Sequence, residues 1–183
     1  MIFSSIQISN AQLHFKLGVV KSDMSYKNLT SKEIFNSKIN PLIFGLFYEW
    51  TPTNIAGFEA GVQYHGLIEK SSINTIPDFK NHYLSLPFSL NYKPNSIISP
   101  GIGIQFSGLI DGSISEEVKS KKYDISGFAK INIQPLDKIG AEIGYNFGFV
   151  PFTNLSFVDL DGIELANGSF KNRYIYLLLR YKI

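Results

Sequence analysis

The sequence predicts an all-β protein, an eight-stranded antiparallel up-and-down transmembrane β-barrel. Three observations carry this. Apolar and polar residues alternate with period 2 through eight segments, the pattern of strands with one greasy and one wet face. Tight turns rich in Pro, Asn and Asp alternate with long polar connections, as in outer-membrane barrels. The apolar face is free of charge through the middle of every segment, where a lipid-facing Lys or Arg would cost about 2–4 kcal/mol.

Taken in order, "LHFKLGVV" sets Leu13, Phe15, Leu17 and Val19 against His14, Lys16 and Gly18. "PLIFGLFYEW" sets Leu42, Phe44, Leu46, Tyr48 and Trp50 against Gly45 and Glu49. "GFEAGVQYHGLIE" opposes Phe58, Ala60, Val62, Tyr64 and Ile68 to Glu59, Gly61, Gln63 and His65. In "HYLSLPFSLNYKP" the alternation is strict, with Leu84, Leu86, Phe88, Leu90 and Tyr92 on one side. Pro87 falls on the other side, where a closed barrel has no free edge to hide its missing N–H. "PGIGIQFSGLID" carries Ile102, Ile104, Phe106 and Ile110 opposite Gly101, Gly103, Gln105 and Ser107. "YDISGFAKINIQ" opposes Ile125, Ala129, Ile131 and Ile133 to Asp124, Ser126, Lys130 and Asn132. "KIGAEIGYNFGF" opposes Ile139, Ala141, Ile143, Tyr145, Phe147 and Phe149 to Gly140, Glu142, Gly144, Asn146 and Gly148. "RYIYLLLRYKI" sets Ile175, Leu177, Leu179, Tyr181 and Ile183 against Tyr174, Tyr176, Arg180 and Lys182. The short turns are "TPTN" (51–54), "KPNS" (93–96) and "PLDK" (135–138), and the long loops are about 21–38, 70–81, 111–122 and 150–172.

Composition narrows the class. The chain of 183 residues is one domain's length, 44% hydrophobic and 14% aromatic but only 17% charged, which favours strands and excludes disorder. A net charge of +2 without a basic run argues against nucleic acid as a partner. Without cysteine there are no disulfides and no thiolate metal sites. No apolar run approaches the roughly 18 residues of a spanning helix, which leaves closed barrels as the membrane-spanning option.

"MIFSSIQISNAQ" ends in Ser9, Asn10 and Ala11 before Gln12, small residues of the kind that precede signal-peptide cleavage. Residues 1–11 therefore read as the remnant of a signal peptide and 12–183 as the barrel domain, with a mature chain starting at Gln12.

The polar face is mostly Gly, Ser, Asn and Gln, too poorly charged for a solvated exterior and suited to a cramped lumen. Aromatic residues stand at both margins of the apolar face. Trp50, Tyr92 and Tyr181 lie toward the short turns and termini, and Tyr64, Tyr123 and Phe149 toward the long loops, as an aromatic girdle would. The alternative, a soluble lipocalin-like barrel binding an apolar ligand, would turn the same face inward.

The run from "FEAGVQYHG" through "YLSLPFSLNYKP" and "PGIGIQFSG" to "YIYLLLRYKI" resembles the PorT-like small outer-membrane β-barrels of the Bacteroidota. The resemblance implies a porin-family barrel in the outer membrane of a Gram-negative cell envelope, delivered by the barrel-assembly machinery, with outer-membrane lipid around it and periplasmic termini. It also implies possible envelope or secretion-system partners. The resemblance places a Pro at the position of Pro87 and so implies a local bulge there, whereas this chain ends in Ile183 where such barrels usually end in Phe.

On the polar face, Lys16, Glu49, Glu59, Lys130, Glu142 and Arg180 fall in the half nearer the termini and form a candidate lumenal ion-pair network. About eight strands leave an interior filled by side chains, so the network reads as structural rather than as an ion path. His14, His65 and His82 lack metal-site or catalytic spacing, and the glycines of "GIGIQFSG" lack the helix of a phosphate loop. Those glycines read as relief of crowding inside the barrel. The sequence thus predicts no enzyme, no cofactor and no open pore. It predicts a monomeric barrel whose structural, adhesive or assembly-accessory role is carried by its long loops.

Overall fold

The structure is a computed structural model that describes residues 10–22, 25–27, 35–37, 39–71, 79–113, 122–151, 153–158 and 164–183. The eight barrel strands are β1 (Asn10–Ser22), β2 (Ile39–Thr51), β3 (Ala56–Ser71), β4 (Phe79–Tyr92), β5 (Ile98–Ser113), β6 (Tyr123–Ile133), β7 (Ile139–Gly148) and β8 (Arg173–Lys182). Each pairs antiparallel with its neighbour in the chain, and β8 returns to β1 from His14↔Lys182 to Ser22↔Tyr174. That last ladder closes the sheet and removes its free edges, the condition for strands to cross lipid.

The alternation resolves in one sense. On β8, Tyr174, Tyr176, Leu178 and Arg180 are buried while Ile175, Leu177, Leu179 and Tyr181 are exposed. The same holds around the barrel, so the apolar face is outside. Trp50, Phe88 and Ile102 are 45%, 45% and 66% exposed, whereas Lys16 and Arg180 are 0% and 4% exposed. A lipocalin-like barrel needs the opposite arrangement. An apolar exterior with a charged interior is stable only where lipid replaces water outside.

Two irregularities punctuate the ladders. The β1–β2 register shifts between Gly18 and Val20, beside Pro41, and the β4–β5 register shifts between His82 and Tyr83 around Ile110. Pro87 does not cause a bulge. It pairs with Gln105 on β5 in unbroken register, while on the β3 side the ladder omits the positions between Ala60↔Phe88 and Gln63↔Ser85 and resumes unshifted. A closed, two-sided ladder holds the register, so the missing N–H is absorbed as a gap.

The long polar connections contain more strand than their composition suggests. Thr153–Val158 pairs with Glu164–Lys171, whose end pairs with Ser25–Lys27, and Phe35–Ser37 pairs with the end of β3. Strand formation needs paired backbone groups, not apolar side chains, so polar segments can extend a sheet beyond the membrane. β1 starts at Asn10, with Ala11 paired to Trp50, and residues 1–9 of the expected signal remnant lie outside the described residues.

Candidate functional site

Among the described residues, charge is concentrated away from solvent in the bore, which is built in layers. Nearest the short turns, Lys16 on β1 places Nζ 2.7 Å from Glu59 Oε1 and 2.5 Å from Glu142 Oε2. Lys130 on β6 bonds Glu59 closely and stands 3.6 Å from Glu142. Arg180 on β8 reaches Glu59 at 3.2 Å and Glu49 at 3.3 Å. The structure thus brings together all six charged residues singled out in the sequence, drawn from β1, β2, β3, β6, β7 and β8. Glu59 is the hub, shared by Lys16, Lys130 and Arg180.

Two members are added. Lys93, in the turn after β4, lies 2.7 Å from Glu49 Oε1, and His14 Nε2 lies 3.1 Å from Glu49 Oε2, out of line for a straight hydrogen bond. His14 shares its face with Lys16 and could have been read from the alternation. Lys93 falls on the polar side of its segment with Pro87, so the alternation marks it as inward too, without showing that it meets Glu49.

The aromatic residues of this layer stand over glycines. Phe47 faces Gly61, Phe128 faces Gly103 and Tyr176 faces Gly144, each directly across a strand pair. A Cβ on Gly61 would come 2.5 Å from the Phe47 ring, and one on Gly103 would come 2.5 Å from the Phe128 ring. These glycines make room for rings, and the rings support cations, with Lys16 Nζ 3.9 Å from the centre of Phe47.

Toward the long connections the lumen turns apolar. Val20, Ile43, Leu67, Tyr83, Tyr174, Tyr176 and Leu178 form one buried cluster. The alternation places only Tyr174 and Tyr176 of it inward, although the doublets Val19-Val20, Leu42-Ile43 and Leu67-Ile68 and the run Leu177-Leu178-Leu179 mark where inward positions become apolar. Polar side chains lock this plug. Gln105 donates to Tyr174 Oη at 2.8 Å, and Asn172 donates to Tyr83 Oη at 3.1 Å and Asp124 Oδ2 at 3.0 Å. Between the layers a void of about 10 Å³ lies among Phe47, Gln63, Pro87, Gln105 and Tyr176. That is about the space of one water. By contrast, a polar vestibule of about 780 Å³ opens at the short-turn mouth and ends on His14, Glu49 and Arg180.

The three histidines are scattered. His14 sits on Glu49, His65 stacks with Tyr83 at 5.3 Å between ring centres, and His82 meets the Tyr64 hydroxyl at 2.7 Å on the outer wall. The six girdle residues all lie on the outward register. Trp50, which stacks on Phe58, Tyr92 and Tyr181 stand at the short-turn end. Tyr123, Phe149 and the half-buried Tyr64 stand toward the other end.

No family model matches the chain, and no curated protein matches it. Solved structures do. The outer membrane protein OprG from Pseudomonas aeruginosa is 13% identical, with 96% of this chain and 97% of that chain covered and a TM-score of 0.56. Neisserial surface protein A (NspA) is 13% identical over 95% and 99%, with a TM-score of 0.56. Ail, the attachment invasion locus protein of Yersinia pestis, solved with the heparin analogue sucrose octasulfate, is 16% identical over 96% and 99%, with a TM-score of 0.51. The fold is therefore that of the small, closed, eight-stranded outer-membrane barrels. The likeness is to that class as a whole and does not single out the PorT-like proteins.

Proposed function

We propose that this protein is an integral outer-membrane barrel, closed to solute flow, with a structural, adhesive or assembly- or secretion-accessory role and no catalysis. The observation that carries this reading is the layered bore. An ion-pair layer and a tyrosine–leucine plug fill the lumen, so whatever the protein does is done at its rims or on its outer wall. The long connections supply the larger rim, where Thr153–Val158, Glu164–Lys171 and Ser25–Lys27 build a small sheet beyond the barrel. Kinship with PorT-like proteins rests on the quoted strand motifs and favours an envelope or secretion-system partner. In this reading the termini and the short turns face the periplasm, and the protein is a monomer in lipid after delivery by the barrel-assembly machinery.

Fractionation tests the location, and a labelled insertion tests the orientation. The full chain, exported behind a functional signal, should cofractionate with outer membranes and show heat-dependent gel mobility; recovery as a detergent-free soluble barrel would overturn the reading. An epitope placed within 114–120 should be detected on intact cells, and one placed at Asn95 only after the outer membrane is opened.

A further inference from the structure

The outer wall is not the same at its two margins. At the short-turn end the outward positions are Leu13, Trp50, Phe58, Tyr92, Ile133, Ile139 and Tyr181, all uncharged. At the long-connection end the outward positions include Lys21 on β1, Lys80 on β4 and Arg173 on β8, all exposed, against Asp111 on β5 as the single exposed acid there among the described side chains. Lys21 and Arg173 are close. Lys21 pairs with Ile175, and Arg173 is the next outward residue along β8. Such diagonal neighbours lie about 7–8 Å apart, a gap that one phosphate between two long cationic side chains closes. Lys171, half-buried, follows two residues further toward the long connections. No described carboxylate lies within ion-pair distance of any of these three.

Directly below the pair the wall is apolar. Ile39 on β2 and Ile175 on β8 pair with Lys21 and flank it, Val19 and Leu177 lie one outward step below, and all four are exposed. Two cations above a strip of hydrocarbon-compatible surface match a molecule with a phosphate head and acyl tails. We propose that the β1–β8 seam binds a phosphorylated lipid, its phosphate between Lys21 and Arg173 and its chains along Val19, Ile175 and Leu177. This rests on the membrane reading above and adds a ligand to one sector of the wall. Lys80, three strands from β1 and four from β8, is too distant to share the same headgroup.

The test uses the full barrel in detergent micelles, with diphosphoryl lipid A as probe and native mass spectrometry as readout. The same lipid stripped of phosphate and free inorganic phosphate are the comparison arms. Each cation near an anionic headgroup is worth about a fivefold change in binding, so Lys21→Gln with Arg173→Gln should weaken diphosphoryl lipid binding by about 25-fold. Lys21→Arg should retain it, and so should Lys138→Gln at the opposite end. Heat-dependent gel mobility of each variant separates loss of the site from loss of the barrel, and fractionation separates it from failure of the membrane assignment. Equal binding of the two lipids, or no change in the double variant, would overturn the proposal. Displacement by inorganic phosphate at the lipid's own concentration would make it a simple anion site and overturn it too.

Discussion

Glu59 decides the ion layer at the scale of single residues. It is 3% exposed and touches three cations, so its loss leaves Lys16 and Lys130 to share Glu142 and Arg180 to rely on Glu49. Counting Lys93, the layer holds four cations (Lys16, Lys93, Lys130, Arg180) and three carboxylates (Glu49, Glu59, Glu142). Glu59→Gln leaves four against two, whereas Arg180→Ala leaves three against three. Breaking a buried pair so that charge is stranded costs about 3–5 kcal/mol, the expected loss for Glu59→Gln. Arg180→Ala strands no net charge and should cost nearer the about 1–3 kcal/mol of an unsatisfied buried group. Urea midpoints of the refolded barrel in vesicles, followed by the fluorescence of Trp50, give both values. Equal losses would mean that Glu59 is not the hub.

Between strands, the pairing of a ring with a glycine sets how closely the backbone can be lined. Gly103 and Gly144 look alike in sequence, but what a side chain would meet differs. At Gly144 the three nearest atoms all belong to the far end of the Tyr176 ring, which can swing. At Gly103 the nearest is the backbone carbonyl of Phe88, which cannot. Overpacking costs about 1–3 kcal/mol when the surroundings must shift, so Gly103→Ala should lie toward the top of that range and Gly144→Ala toward the bottom. The temperature at which the folded gel band disappears ranks them; the reverse order would show that the ring, not the backbone, is the rigid partner. The Pro87 gap belongs to the same scale. Within the interior of β3, backbone amide exchange should be fastest around Gly61 and Val62, which keep their pairs with β2 but lack those with β4.

For the molecule as a whole, the apolar belt has the height of a membrane. From Arg173 to Tyr181 on β8 is eight residues, about 26 Å along the strand at about 3.3 Å each and about 20 Å after a tilt of about 40°. That approaches the about 25 Å of an outer-membrane apolar band, with charge at one margin and aromatics at the other. Trp50, the one tryptophan, should be quenched more by lipids brominated near the headgroup than near the chain ends. Stronger quenching from the chain ends would displace the belt. The filled bore makes a second whole-molecule prediction: planar-bilayer recordings of the unmodified protein should show no stable conductance steps. Reproducible steps would mean that the tyrosine–leucine plug opens, leaving the barrel itself unaffected.

Period-2 alternation and turn chemistry are local, and by themselves they determined the number of barrel strands, their order and the two faces of each. They even marked the charged residues of the lumen, because Lys16, Glu49, Glu59, Lys130, Glu142 and Arg180 all occupy inward steps. They could not place the faces relative to each other around the barrel. Closure of β8 on β1, with its stagger, brings Lys16 beside Arg180 and lets Glu59 reach across from β3 to three other strands. Registers between strands are set by long-range ladders, not by neighbours in the chain, so the identity of the hub, the recruitment of Lys93 and the proximity of Lys21 to Arg173 were decided only by the tertiary structure. The apolar plug lay between these cases. Its residues break the alternation visibly, but an apolar residue on an inward step reads as noise until the closed barrel shows seven of them in contact.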